Sequence, residues 1–432
     1  MNKKVGFISL GCAKNRVDSE KIMGMLVSGG LSLTDDPNQA DYIIINTCGF
    51  IKSAKEESIN TILEMAEYKK TKKVKLIVMG CLSQRYEKEL KESLPEVDYF
   101  ITLDQYPKLP EIFEKIFKKK FYNDPERLFS VTGYSAYLKI AEGCYNRCSY
   151  CAIPLIRGNY VSADLESLVK EAEGLVSKGT KELVLVAQDT TMYGIDLYHQ
   201  KKLGTLVKKL DKIKGLKWIR ILYLYPSEVD EQLLKELKSC KHFIPYFDLP
   251  LQYGNDKMLK AMNRKGNIKG FNHLVKLIKS YFPNAVLRTT MIVGFPGETE
   301  EDFKDLLKFI IKTKFDRLGA FTYSREQDTP AYTLKPQIKA SVKKERLKEL
   351  LEVQAKISDK KGRTYLGETL EVLIEGIDEE SGLFYGRSYL SAPDEVDGIV
   401  RIKTNKIHGF GDFVKVKITD SDTYDLVGIE EK

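Results

Sequence analysis

Three cysteines stand together in Cys144-Tyr145-Asn146-Arg147-Cys148-Ser149-Tyr150-Cys151, a C-x-x-x-C-x-x-C array. Thiolates that close suit a multinuclear iron–sulfur cluster, whose ligands are cysteine sulfurs. Three ligands leave one iron of a cubane without a protein ligand, free to bind a small molecule. A zinc knuckle, a disulfide pair and three unrelated core thiols are the competing readings. Zinc usually takes a fourth Cys or His nearby, and the first imidazole downstream is His199. Three more cysteines each follow an apolar run: Cys12 in Gly11-Cys12, Cys48 in Asn46-Thr47-Cys48-Gly49 and Cys81 in Gly80-Cys81. In an open parallel sheet the C-terminal strand ends share one edge, where ligands bind. Three cysteines at three such ends converge by topology, which gives a second cluster site. The competing reading is a turn in which Cys packs as a small hydrophobe; it suits one cysteine better than three. Cys240, in the polar Leu237-Lys238-Ser239-Cys240, reads as incidental.

The elements that must position these thiols follow an α/β pattern. Residues 1–125 alternate strand and helix: strands at Val5–Leu10, Asp41–Asn46, Val74–Met79 and Tyr99–Ile101, helices at Val17–Ser28 and Lys55–Tyr68. That alternation predicts a doubly wound parallel sheet with helices on both faces. In the first helix Val17, Ile22, Met25 and Leu26 are the expected apolar positions. A basic connector with one helix, Pro110–Lys120, leads to a second domain over 135–364. There a strand at Ala136–Ile140 delivers Cys144, and further strands fall at Leu183–Ala187, Ile219–Tyr223, Tyr246–Leu249, Val286–Val293 and Arg317–Phe321. The spacing predicts a βα barrel, complete or open, with its chemistry at the C-terminal strand ends. The helix Glu301–Lys312 is expected to bury Phe303, Leu306, Leu307, Ile310 and Ile311. A Lys-rich helix from Leu334 to about Thr364 carries an apolar stripe of Val342, Leu347, Leu350, Leu351 and Ile357. Residues 366–432 change to short alternating strands (Thr369–Ile374, Leu383–Arg387, Gly398–Lys403, Phe413–Ile418, Asp425–Ile429), which predicts a small OB-like β-barrel.

Composition bounds the class. A chain of 432 residues with 43% hydrophobic content suits two or three globular domains. The formal charge of +8 is mild and does not by itself imply nucleic acid. The apolar run Val5–Leu10 is too short for a signal peptide, and no stretch approaches the roughly 18 apolar residues of a membrane span. Seven cysteines in a strand–helix chain fit a reducing cytoplasm with metal-bound thiolates better than a disulfide framework.

Several strings then carry a resemblance over the whole length. They are Leu10-Gly11-Cys12-Ala13-Lys14-Asn15-Arg16-Val17-Asp18-Ser19-Glu20, Asn46-Thr47-Cys48-Gly49-Phe50-Ile51, Gly80-Cys81-Leu82, the Cys144–Cys151 array, Val186-Ala187-Gln188-Asp189-Thr190-Thr191 through Tyr198, and Ala392-Pro393-Asp394-Glu395-Val396-Asp397-Gly398. The chain resembles the radical S-adenosylmethionine (SAM) methylthiotransferase family, within it the type that modifies a ribosomal-protein aspartate. The resemblance implies an N-terminal methylthiotransferase domain, a radical SAM barrel and a C-terminal TRAM domain. It implies two 4Fe–4S clusters, one on Cys144, Cys148 and Cys151 that cleaves SAM, the other on Cys12, Cys48 and Cys81. SAM then serves as radical source and methyl donor. For SAM contacts it points to Tyr150 against the adenine and Gln188 near the methionine amino group. Arg288 either forks a carboxylate or merely faces solvent, and the Gly294 turn offers a close backbone approach. Glu298 is either a further contact or an ordinary acid at a helix start.

Charge helps to choose the substrate. Residues 366–432 hold 7 Lys+Arg against 15 Asp+Glu. A domain that clamps RNA should be basic; an acidic one suits a basic protein. The expected substrate is an aspartate β-carbon of small-subunit ribosomal protein number twelve, free or assembled in the ribosome, with nucleic-acid contact secondary. The expected enzyme is a monomer that needs an external electron donor and no membrane. A tRNA adenosine methylthiotransferase is the alternative within the family. A non-enzymatic iron–sulfur electron carrier or RNA-binding scaffold is the alternative of another class.

Overall fold

The computed structural model describes residues 3–123, 126–129, 133–394 and 397–431. Met1, Asn2, and Glu395 and Val396 of the Ala392–Gly398 string lie outside the described residues. In the first domain β1 (Lys4–Ser9), α1 (Ala13–Ser28), β2 (Ser32–Thr34), β3 (Tyr42–Thr47), α2 (Lys52–Glu67), β4 (Lys75–Gly80), α3 (Cys81–Ser93), β5 (Tyr99–Ile101) and α4 (Leu109–Phe117) follow one another. The sheet order is β2-β1-β3-β4-β5, all neighbours parallel. The apolar run of β3 is buried at all six positions because helices cover both faces. The short edge strand β2 was absent from the sequence reading; three residues are too few for an alternation to show.

The second domain runs β6 (Ser135–Lys139), β7 (Ala141–Glu142), α5 (Ile153–Ile156), β8 (Val161–Ser162), α6 (Leu165–Ser177), β9 (Glu182–Val186), α7 (Ile195–Tyr198), α8 (Leu203–Leu210), β10 (Trp218–Ile221), α9 (Glu231–Lys238), β11 (Phe243–Asp248), α10 (Asp256–Ala261), α11 (Ile268–Tyr281), β12 (Val286–Val293), α12 (Glu300–Thr313), β13 (Arg317–Thr322) and α13 (Ala340–Arg363). Six parallel strands in the order β13-β12-β11-β10-β9-β6 form an open barrel. Side-chain caps start its helices: Asp164 accepts from the Ser167 N–H, Asp230 from Leu233, Asn255 from Met258 and Asn267 from Gly270. Thr299 and Asp302 close a capping box on α12. In α12 Phe303, Leu306 and Ile310 are buried as expected and Phe309 joins them, while Leu307 is only partly buried and Ile311 is 53% exposed; a 3.6-residue turn carries Ile311 past the inner face. In α13 Leu350 is buried but Leu351 faces solvent, and Arg346, Gln354 and Ser358 are buried instead. This helix begins at Ala340 rather than Leu334, because Pro336 cannot donate within a helix.

The third domain closes into a five-stranded barrel, β14 (Thr369–Ile377), β15 (Phe384–Arg387), β16 (Val400–Lys403), β17 (Phe413–Ser421) and β18 (Leu426–Glu430), in the order β14-β15-β16-β18-β17. It packs on the open sheet: Val184, Val186, Ile244, Tyr246 and Val286 share a core with Val372, Val400 and Val416. Trp218 meets Phe413 edge-on, ring centroids 4.7 Å apart. Beside it Glu182, wholly buried, takes Arg220 at 3.0 Å and Arg387 at 2.6 Å. Burial works against the Glu182 carboxylate, yet the two guanidiniums hold its pKa down at about 2, from an ordinary 4.5.

Two measurements check this joint. Arg387→Ala leaves Glu182 with less than its counter-charge and should cost about 3 kcal/mol or more in urea unfolding. Because the folded pKa lies below the unfolded one, the stabilisation is complete above pH 4.5 and is lost as pH falls toward 2; Glu182→Gln should flatten that part of the stability–pH curve.

Candidate active site

The turns after β1, β3 and β4 bring Cys12, Cys48 and Cys81 to one sheet edge. Gly11 and Gly80 make these turns possible, with φ of +92° and +97°. A Cβ on Gly11 would stand 2.8 Å from the Cys48 Cβ, and one on Gly80 2.2 Å from Asn46 Oδ1. Cys12 caps α1, and Cys81 is the first residue of α3 rather than a loop residue. Cys48 is fastened through Ser58, whose hydroxyl accepts from its N–H at 3.1 Å and donates to its carbonyl at 3.0 Å. All seven cysteines are free thiols. Cys240 packs in the barrel core, its thiol 3.4 Å from the Glu236 carbonyl.

The Cys144–Cys151 loop is pinned just as firmly. The Cys144 N–H donates to the Gly158 carbonyl at 3.2 Å, and Ser149 N–H to Met262 at 2.9 Å. Asn146 reaches Asp189 at 2.7 Å, and the Tyr160 hydroxyl donates to the Asp189 carbonyl at 2.8 Å. The loop is thereby tied to the end of β9.

Each set of thiols has its own arginine. The Arg157 guanidinium lies 3.5 Å from the Cys81 sulfur. It also meets Glu142 at 2.7 Å, Asn15 at 2.7 Å and Asp18 at 3.2 Å. Arg264 lies 3.5 Å from the Cys148 sulfur, stacks on Tyr225 at 4.0 Å and donates to the Pro250 carbonyl. Burial pushes the Cys81 and Cys151 thiols up to about 12 and Cys144 up to about 11. Burial raises Cys48 as well. Cys12 differs. It is exposed, and although its protein walls raise it, Lys14, Arg157 and the backbone N–H groups of Asn15 and Lys14 bring it below the ordinary thiol value.

These donor sets fit sulfur-bound clusters. Backbone N–H groups point at the sulfurs of Cys12, Cys48, Cys144 and Cys151, and a guanidinium stands by each set to offset thiolate charge. Among the described residues no three His, Cys, Asp or Glu side chains are drawn together around a single metal ion; a multinuclear cluster spreads its ligands over several irons. Three deeply placed neutral thiols need a cation to lose their protons, which is what metal loading supplies.

The expected SAM contacts fare unevenly. Tyr150 packs against the barrel core with its hydroxyl at the Cys148 thiol. Gln188 is half-buried just beyond β9, with no hydrogen-bond partner recorded among the described residues. Arg288 is not brought to the cysteines: it pairs with Asp248 at 2.9 Å and Asp397 of the third domain at 3.4 Å. Glu298 has partners within the protein. It accepts from Gly294 N–H at 2.8 Å and pairs with Arg346 at 2.6 Å. Gly294 makes room for Lys343, whose Cγ would stand 2.3 Å from an added Cβ. These three residues took their partners from Asp397, Arg346 and Lys343, all remote in sequence. Sequence reasoning also missed Lys14, Asn146, Arg157, Asp189 and Arg264. Asn146 and Asp189 lay inside quoted strings; the two arginines carried no local signal.

Comparisons with known proteins now have a site to refer to. Residues 4–102 match the model of "Uncharacterized protein family UPF0004", residues 138–310 the radical SAM superfamily and residues 366–429 the TRAM domain. The fold resembles the radical SAM methyltransferase TsrM from Kitasatospora setae, with a TM-score of 0.58 at 14% identity over 77% of each chain. A TRAM-bearing radical SAM architecture is thus the class. Two relatives, from Thermoanaerobacter sp. and Acetivibrio thermocellus, are both named ribosomal protein uS12 methylthiotransferase RimO. The first is 50% identical, covering 99% of this chain and 99% of its own; the second is 48% identical, covering 99% and 98%. The chain belongs to this uS12 methylthiotransferase family.

The thiol chemistry gives a direct check. In metal-free protein, iodoacetamide near neutral pH should label Cys12 first, because it is exposed and has the larger thiolate fraction. Cys81, Cys144 and Cys151 should lag, and cluster loading should protect all six. Peptide mapping by mass spectrometry reads the order; equal rates at Cys12 and Cys81 would contradict it.

Proposed function

We propose that this enzyme transfers a methylthio group to the β-carbon of an aspartate in ribosomal protein uS12, using two 4Fe–4S clusters and SAM. The observation that carries the reading is that Cys81 packs against Ala152 and Ile156, just after Cys151, while Arg157 ties Glu142 to Asn15 and Asp18 of the first domain. Family membership makes the enzyme a radical SAM methylthiotransferase rather than an electron carrier or scaffold, and the relatives' names favour uS12 over tRNA. The C–H bond has no usefully acidic proton, so the bound cofactor supplies a carbon radical in place of a base. The protein's own residues do the rest. Cys144, Cys148 and Cys151 would hold the SAM-binding cluster and leave one iron open. Tyr150 and Gln188 stand beside that set as candidate SAM contacts. Cys12, Cys48 and Cys81 would hold the second cluster, near which the methylthio group is delivered. Arg157 and Arg264 would offset the charge of each.

The third domain bears 15 acidic and 7 basic residues, which suits a basic protein partner; RNA contact through a TRAM domain is then secondary. Among the described residues no helix is long and apolar enough to cross a membrane. Six cysteines given to metal rather than to disulfides fit a reducing cytoplasm. The reading includes a monomer and an external one-electron donor.

Reconstituted, reduced enzyme with SAM should modify uS12 by one methylthio group and leave tRNA unchanged, as read by mass spectrometry. Iron content should approach about eight atoms per chain for two four-iron clusters. Cys144→Ala should abolish 5′-deoxyadenosine formation. Modified tRNA with unmodified protein would overturn the substrate assignment.

A further inference from the structure

We propose that Lys14 anchors the carboxylate of the target aspartate, an inference that rests on the function proposed above and adds a substrate-binding residue to it. Lys14 is 5% exposed, on the first turn of α1, two residues after Cys12. Its ammonium sits over the ring of Tyr223, 3.8 Å from the centroid. Tyr223 follows β10, so Lys14 reaches from the edge of the first domain to the strand ends of the barrel. No carboxylate lies within ion-pair distance of it among the described residues; its recorded neighbours are Tyr223, the Cys12 thiol and the like-charged Arg157.

A buried cation without a carboxylate partner is costly, and most of the other cations around the two cysteine sets have one. Arg157 and Lys139 share Asp18 and Glu142. Arg16 pairs with Asp394 at 2.9 Å, and Lys55 and Arg85 with Glu326. Arg264 has the Pro250 carbonyl. The platform beneath Lys14 is held rigid. Tyr223 has φ of +60°, unusual for a residue with a Cβ. Its N–H donates to Asp248 at 2.9 Å, and its carbonyl accepts from the Thr190 N–H and hydroxyl, each at 3.1 Å. A preorganised ammonium with an aromatic floor and no carboxylate, whose one thiolate neighbour, Cys12, is shared with Arg157, is a receptor for a carboxylate.

The chemistry says which anion. The reacting carbon must face both cysteine sets, since the hydrogen leaves toward one and sulfur arrives from the other. In aspartate the carboxylate is bonded directly to that carbon, so its anchor belongs where the two domains meet, and Lys14 reaches from beside Cys12 to Tyr223 at a strand end of the barrel. An adenosine substrate would bring no carboxylate there.

The test measures binding of uS12, and of uS12 with Asn for its target aspartate, to cluster-loaded enzyme by anisotropy. Wild type should prefer the aspartate form by about tenfold or more, the scale of a charge-assisted hydrogen bond. Lys14→Met should bind both forms equally, at the wild-type level for the Asn form, while Lys14→Arg keeps part of the preference. Iron content and visible absorption of Lys14→Met should match wild type. An unchanged preference in Lys14→Met overturns the inference, and so does loss of iron, which would make Lys14 a support for Cys12. Either result leaves the uS12 assignment standing if wild type modifies that protein. Wild type that fails to modify it removes both.

Discussion

The contact on which the whole arrangement depends is that of Arg157 with two domains at once. Its guanidinium meets Glu142, which precedes the Cys144 array, and Asp18 and Asn15, which follow Cys12. Lys139 completes the lattice by pairing with the same two carboxylates. All these groups are removed from water to different degrees, so none is easily spared: taking out one leaves its partners charged and desolvated. The lattice also orients, because a planar fork satisfied from both sides fixes the angle between the two strand edges. A single desolvated arginine thus holds together two sites whose cysteines lie up to 139 positions apart, from Cys12 to Cys151.

The third domain shapes the site from the other end. Its Asp394 takes the Tyr137 hydroxyl at 2.6 Å as well as Arg16, and its Asp397 takes Tyr246 and Arg288. These acids enter the open sheet from the side, so the six strands need not close into a full barrel to keep water from their inner face. Both cysteine sets follow the C-terminal ends of strands. Exclusion of water matters for any reactive carbon intermediate, and here it is achieved by polar groups that are themselves paired.

Much of this was legible in sequence, for a physical reason. A cysteine after a buried parallel strand is placed by topology alone, so Cys12, Cys48 and Cys81 could be brought together without knowing one side-chain contact. The strands themselves, such as Val286–Val293, declared their ends through apolar runs. The face of α1 was illegible. Lys14, Asn15, Asp18, Ser19 and Glu20 are all buried, although polar residues at those positions read as a solvated surface. Asn15 and Ser19 are buried against their own sheet, at Thr47 and Asn46, Glu20 against Arg127 of the connector, and Lys14 and Asp18 against Tyr223 and Lys139 of the barrel; amphipathic periodicity reports polarity, not which neighbour will arrive. Arg288, Gly294 and Glu298 illustrate the converse. They sit near a strand end that looks like a ligand site, but Asp397, Lys343 and Arg346 reach them first.

The acidity of the third domain bears on the partner only to the extent that it faces outward. Glu375, Asp394 and Asp397 are spent on Arg387, Arg16, Tyr137, Tyr246 and Arg288, and so repel no phosphate. With these three and Arg387 set aside, twelve acids still face six bases. Some of the bases are themselves neutralised, since Arg401 pairs with Asp425 and Lys406 with Glu430. The outward field is therefore negative even after the internal pairs are removed. A surface of that sign lowers the local concentration of a polyanion and raises that of a basic protein, so the outward charge of this barrel favours a basic surface over a phosphate-rich one.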